Sequence, residues 1–240
     1  MDNEMLHEGS WWADARAVLI YHLVKTYVKG EKRICDVGCS RGLLLSILKK
    51  SSKLTCCGFD VDAGAVKAAR EAGLNVKVAG CLAFECKEKQ DAILLLDVLE
   101  HIENDKKALV HCRKQLKPNA LLIVSVPSYQ SLFSDFDLKV GHKRRYDKKQ
   151  LINFFQNNGF RIIYFTYWNM FLLPAVFFFR KCLPFRHSTT QDEVNVSAPL
   201  GFLLKSVLGL ENRIIKADLP LPFGVSMIII AQKLGKSESE

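Results

Sequence analysis

The sequence predicts an α/β fold, a doubly wound sheet built from alternating strands and helices, on three observations. Short apolar runs alternate with amphipathic segments from residue 34 to residue 126, the pattern of successive βα units. Three of the apolar runs end in an aspartate: Asp36, Asp60 and Asp97. The first of these leads directly into a glycine turn, Asp36-Val-Gly-Cys-Ser-Arg-Gly42, ahead of a helical stretch.

In chain order, Trp11 to Val28 carries apolar residues at helical spacing and reads as a helix packed beside the sheet. Next come a strand at 34–36, a helix at 43–50, a strand at 54–59, a helix at 62–72, strands at 75–79 and 92–97, a helix at 104–115 and a strand at 120–126. Pro118-Asn119 makes the turn into that strand and Pro127 closes it. Residues 128–146 read as an irregular insertion rich in Ser, Asp and basic residues. Lys148 to Asn158 reads as a helix, and Phe160 to Trp168 as a β-branched, aromatic strand. From Ile162 to Phe179 only Thr166 and Asn169 interrupt an apolar run that approaches the length of a membrane span. Pro174 divides the run and suits the first turn of a helix, which favours a strand followed by a short helix, Pro174 to Cys182. Residues 186–196 read as a polar loop, Pro199 to Leu210 as a second apolar, basic segment, Gly224 to Gln232 as the final strand and 236–240 as a solvated tail. The expectation is one domain over 1–240, with a basic insertion at 128–146 and an apolar cap or membrane-contacting insertion at 169–216.

Composition agrees with a globular chain: 49% hydrophobic and 25% charged residues exclude a disordered protein. The acidic start has no apolar core before Trp11, so a cytoplasmic protein is expected. A net charge of +9 favours an anionic partner, which leaves nucleic acid, an acidic membrane surface and a phosphorylated substrate open. Several of the eight cysteines, Cys35, Cys56 and Cys57 among them, fall in buried strands and read as reduced core thiols. With no Cys-x-x-Cys pair, and looser spacing for Cys35 with Cys39 and Cys81 with Cys86, no metal site is expected.

The glycine turn carries the chemistry. Gly38 and Gly42 let backbone approach a ligand while the first amides of the next helix point at it. A dinucleotide turn would have a third glycine where Leu43 stands, and Ser40 fills the middle glycine slot, so nicotinamide fits poorly. Asp60 lies one βαβ unit further on, where a carboxylate accepts hydrogen bonds from both hydroxyls of a ribose. Three such strand ends predict one nucleoside pocket outside the carboxyl edge of the sheet.

With those residues in view, the chain resembles the class I S-adenosylmethionine-dependent methyltransferases, in the branch of the ubiquinone-biosynthesis O-methyltransferases. The resemblance begins at Glu8-Gly-Ser-Trp11-Trp12 and Arg16. It continues through the Asp36 turn, Gly58-Phe-Asp60, Asp97-Val-Leu-Glu-His101 and Leu116-Lys-Pro-Asn, and closes with Gly141-His-Lys-Arg-Arg-Tyr146 and Leu221-Pro-Phe-Gly224. It implies a seven-stranded, mostly parallel, Rossmann-like sheet with the last strand antiparallel and an apolar helical insertion between the sixth and seventh strands. It implies S-adenosylmethionine as cofactor: Arg16 and the turn amides at Gly38, Ser40 and Gly42 on the methionine carboxylate, Asp36 and Asp97 near its amine, and Asp60 on the ribose. Two departures stand out. Ser40 replaces the middle glycine, which an ordinary φ would tolerate. Gly80-Cys81-Leu82 lacks the aspartate that usually bonds the adenine amine, leaving the backbone at Cys81 and Leu82 to meet the adenine edge.

His101 and His142 are placed to meet an acceptor, either one as base, or else to position the cofactor pocket and structure the loop, and Tyr146 either orients the acceptor or simply packs. Lys143, Arg144 and Arg145 read either as an anion-binding cluster or as a solvated face. The expected reaction is methylation of a hydroxyl, with a carboxylate less favoured, on a lipophilic or glycolipid-like small molecule at a peripheral membrane contact. Asp97-Val-Leu-Glu is not the Pro-Pro turn of nucleobase amino methylation, and no Pro-Cys nucleophile occurs, so nucleic acid is not favoured. An RNA or protein methyltransferase and a non-catalytic, cofactor-binding scaffold subunit remain the alternatives.

Overall fold

A computed structural model describes residues 11–181 and 198–235. The expected Glu8-Gly-Ser start, the 186–196 loop, the 236–240 tail and the aromatic stretch beyond Lys181 lie outside the described residues.

One seven-stranded sheet is formed by β1 (Lys32–Val37), β2 (Leu54–Asp60), β3 (Val76–Val78), β4 (Gln90–Leu96), β5 (Leu116–Pro127), β6 (Phe160–Trp168) and β7 (Ser226–Lys233), in the order β3-β2-β1-β4-β5-β7-β6. The first five strands run parallel, and β7 is antiparallel to both β5 and β6, as expected from the sequence. The strand order reverses at β1 and β4, so the crevice of an open α/β sheet falls at their carboxyl ends. The middle of each strand is apolar because both faces are covered: Ile34, Cys35, Val37 and Ala92 to Leu95 are fully buried.

The helices are α1 (Trp11–Tyr27), α2 (Leu43–Leu48), α3 (Ala63–Glu71), α4 (Asp105–Gln115), α5 (Asp135–Lys139), α6 (Lys148–Gln156), α7 (Leu173–Lys181) and α8 (Ala198–Lys216). In α3, Asp62 caps the helix by accepting from the amides of Gly64 and Ala65. In α1, Leu19, Ile20, Leu23 and Val24 are buried, each worth about 1.5–3 kcal/mol if fully removed from water. The other face of α1 receives α8: Asn212 donates from Nδ2 to the Ala15 carbonyl (2.8 Å) and Lys205 pairs with Asp14 (2.6 Å).

Several boundaries differ from the sequence reading. The helix expected to reach Lys50 stops at Leu48, and β5 begins at Leu116, before the Pro118-Asn119 turn; Asn119 takes a positive φ of 59° there while the ladder to β4 shifts register. The 128–146 insertion is not irregular throughout. It holds a short turn of helix at Gln130–Leu132 and α5, whose Ser134–Asp137 capping box closes two amides reciprocally. The apolar segment after β6 is two helices, and among the described residues no helix is long and apolar enough to cross a membrane. The described cysteines are all free, but Cys56 and Cys57 are only half-buried, because β2 lies near the sheet edge with the short β3 beyond it.

Candidate functional site

The carboxyl ends of β1, β2 and β4 open on a cavity of about 880 Å³, lined also by α1, the turn after β1, the segment 79–83 and the insertion after β5. It brings together Arg16, Asp36, Gly38, Ser40, Asp60, Cys81, Leu82, Asp97, His101 and His142. The structure leaves out two of the expected site residues. Gly42 is buried at φ 84°, and a Cβ there would meet Leu74 Cδ1 at 2.3 Å; it turns the chain and packs α2 rather than facing the cavity. Tyr146 is 6% exposed and donates its hydroxyl to Asp105 Oδ2 (3.0 Å), so it braces α4 and does not reach an acceptor.

Each remaining group is placed by the end of its strand. Asp36 closes the buried part of β1; its Oδ1 has no hydrogen-bond partner, and burial, opposed by Arg16 and reinforced by Asp60, raises its pKa to about 7. Asp60 ends β2, where Oδ2 accepts the Ser40 amide (2.7 Å) and Oδ1 the Asp62 amide (2.9 Å), fixing the carboxylate plane. Gly38, at φ 82°, passes so close to Val98 that a Cβ would meet Cγ2 at 2.4 Å. Ser40 departs from the expectation of an ordinary φ: it sits at 48°, in the left-handed region, because the turn aims its amide at Asp60. Cys81 directs its thiol inward to within 4.0 Å of the Cys112 sulfur, so its backbone and the exposed Leu82 form that part of the wall.

Arg16 and Asp97 pair with each other. Ser125 Oγ donates to the other Asp97 oxygen (3.0 Å), and the Arg16 guanidinium lies 4.4 Å above the Trp12 ring. Asp97 itself has φ 57°, an uncommon conformation for a non-glycine residue that here turns the side chain back over the strand end.

Opposite these strand ends lies a second group that the motifs marked only in part. Asp137, fully buried on α5, accepts at Oδ1 from Arg145 Nε (2.9 Å) and Nη2 (2.7 Å) and from His142 Nδ1 (3.0 Å). A carboxylate held by a guanidinium only accepts, so His142 carries its proton on Nδ1 and presents Nε2 as a lone pair. That Nε2 is 3.9 Å from Glu100 Oε1, and the rings of His142 and His101 meet edge to face at 4.7 Å. Glu100 is fully buried with both oxygens unpartnered; burial and then the nearby Asp97 push its pKa well above the usual carboxylate range. Burial and then His142 lower that of His101. Of the three basic residues in this motif, Arg145 is thus internal, and Arg144 pairs with Asp105 (3.1 Å). Glu100 was visible in sequence as the neighbour of His101, but nothing in the sequence signalled that Asp137 would join Arg145 and His142.

The sheet and its order of elements are shared with known proteins. A family model described as a methyltransferase domain matches residues 12–164. The ubiquinone biosynthesis O-methyltransferase of Histophilus somni is 30% identical over 107 residues, 40% of this chain and 44% of that protein. The chain therefore spans less than half the length of the curated relatives it matches. Among solved structures, a SAM-dependent methyltransferase from Archaeoglobus fulgidus superposes with a TM-score of 0.58 at 21% identity, over 90% of this chain and 94% of that one. The [4+2]-cyclase SpnF superposes with a TM-score of 0.61 at 18% identity, over 93% and 82%. These two likenesses concern the fold alone.

Proposed function

Because this chain belongs to the methyltransferase domain family, we propose that it transfers the methyl group of S-adenosylmethionine to a hydroxyl on a lipophilic small molecule. S-adenosylmethionine is the family's cofactor; when bound, it supplies an electrophilic methyl group on a sulfonium, whose leaving group needs no acid. The residues present fit it. Asp36 offers an unpartnered buried carboxyl oxygen to the cationic amino-acid portion, and Asp60 offers a ribose two oxygens already oriented by amides. Gly38 turns the chain tightly against Val98 at the cavity edge, and the backbone at Cys81 and Leu82 takes the adenine edge.

The observation that carries the reading is His142, held from behind by the buried Asp137, lining the same cavity as Asp36, Asp60 and Asp97. His142 Nε2 accepts the proton of an acceptor hydroxyl, Asp137 stabilises the imidazolium, and Arg145 holds the Asp137 carboxylate in place through Nε and Nη2. Glu100, held neutral by burial, does not compete for the cationic ring, while Trp11, Trp12 and Phe136 exclude water from the acceptor side.

Three features support a lipophilic acceptor: the apolar lining, the ubiquinone-biosynthesis relatives, and the exposed aromatic side chains Phe171 just before α7, Phe177 on α7 and Phe202 on α8, Phe202 exposed by 76%. These side chains are the proposed contact with a lipid interface.

Labelled S-adenosylmethionine presented with quinol and lipid extracts is expected to label an extractable small molecule. His142→Gln is expected to lower turnover by roughly 10²- to 10⁴-fold with cofactor affinity kept. Asp60→Ala is expected to weaken cofactor binding by about 1–3 kcal/mol. Labelling confined to RNA or protein, or calorimetric binding without product in any pool, would replace this reading with one of its alternatives.

A further inference from the structure

On the other side of the same strands, away from the crevice, three thiols from distant parts of the chain converge. The sulfurs of Cys35, Cys57 and Cys86 all lie within 4.8 Å of one another. Cys35 and Cys57 are register partners on neighbouring parallel strands, so their side chains share one face of the sheet. Cys86 reaches them from the segment joining β3 to β4, with its amide 3.4 Å from Gln115 Oε1. Cys57 and Cys86 line a second cavity of about 250 Å³, bounded by Arg33, Thr55, Lys77, Glu85 and Gln90, which shares no residue with the crevice.

We propose that Cys35, Cys57 and Cys86 bind a thiophilic cation, Cu⁺ or Zn²⁺, through three thiolates. Sulfurs bonded to one metal at about 2.3 Å stand about 3.8 Å apart, so a small rotation of the half-buried Cys57 and Cys86 side chains closes the set. Three soft donors without an imidazole or a carboxylate among them select such ions over Mg²⁺ or Ca²⁺. Cu⁺ is satisfied by the three thiolates, whereas Zn²⁺ takes a fourth ligand from the cavity. Each thiol releases its proton to solvent on binding, and the net negative complex is offset in part by Lys77 at the cavity wall, where Arg33 is paired with Glu88 (2.9 Å). A bound ion ties the 79–89 segment, which carries Cys81 and Leu82, to β1 and β2 just behind Asp36 and Asp60.

The test is titration of the reduced, metal-free full chain under anaerobic conditions. Cu⁺ and Zn²⁺ are each buffered by a chromogenic chelator, and thiolate-to-metal absorption is recorded. One equivalent of one of the two ions is expected. Cys57→Ser and Cys86→Ser are expected to weaken it by at least about tenfold, while Cys56→Ser, altering the neighbouring thiol that β2 turns to its opposite face, leaves it unchanged. In the unmodified chain, the ion is expected to protect Cys57 and Cys86, but not Cys56, from alkylation read by mass spectrometry, a readout that survives any folding defect in the variants. Failure of both ions to bind, binding that Cys86→Ser leaves intact, or equal protection of Cys56 would overturn the proposal.

Discussion

The two walls of the crevice are held by different means. On the strand-end wall, Asp36 and Asp60 are delivered by the β1–β2 ladder, and the Asp60 carboxylate is oriented by main-chain amides. On the facing wall, His142 is oriented by a chain of side chains, Asp137 and Arg145, supplied by the insertion between β5 and α6. A ladder tolerates the loss of a side chain because the backbone still fixes the position. A buried side-chain network does not, since removing one member leaves a charge without its partner.

Arg145→Ala is the sharpest way to break that comparison. Arg145 and Asp137 are both buried, so the truncation takes the guanidinium from a buried carboxylate and is expected to cost about 3–5 kcal/mol in chemical denaturation. The outcome that would erase the contrast is a loss no larger than that from Asp60→Ala on the opposite wall, where the residue is only half-buried and its amide partners reach solvent.

The strand-end wall carries its own strain, in Asp36. Its carboxyl titrates at about 7 in the folded chain and near about 4 when unfolded, so across that window the folded state holds a proton the unfolded state has released. Stability therefore falls as pH rises from about 4 to 7 and levels off above, by up to roughly 4 kcal/mol from this residue. Glu100, shifted in the same direction, adds to the slope. Thermal or urea unfolding of Asp36→Asn is expected to show a shallower decline, with Glu100 supplying what remains. Because a cationic ligand favours the ionised carboxylate, cofactor affinity in the unmodified chain is expected to rise through the same pH range and to lose that rise in Asp36→Asn.

How much of this was legible in the sequence follows from the same division. Alternating apolar runs with aspartates at their ends located Asp36, Asp60 and Asp97 at one edge of the sheet, because strand register and side-chain alternation are local properties. Gly42 was misplaced because a left-handed glycine serves packing as well as ligand approach, and only Leu74 beside it distinguishes the two. Tyr146 was left between orienting an acceptor and packing because its partner Asp105 is forty-one residues away in sequence. The Cys35–Cys57–Cys86 cluster escaped for the same reason: its spacing matches no local metal motif, and parallel pairing brings the sulfurs together.

The smallest expected effect isolates what the backbone of the strand-end wall contributes. Ser40 is held at φ 48° so that its amide can reach Asp60, and a residue with a Cβ costs about 1 kcal/mol more there than glycine does. Ser40→Gly keeps the amide and removes the Cβ, so it is expected to raise the melting temperature by roughly 2–4 °C with cofactor affinity retained. Ser40→Ala keeps both the amide and the Cβ and is expected to melt with the unmodified chain. Were Ser40→Gly instead to weaken cofactor binding while Ser40→Ala did so equally, the serine hydroxyl rather than the turn would be the functional element. The strand-end wall would then depend on a side chain in the way the facing wall does.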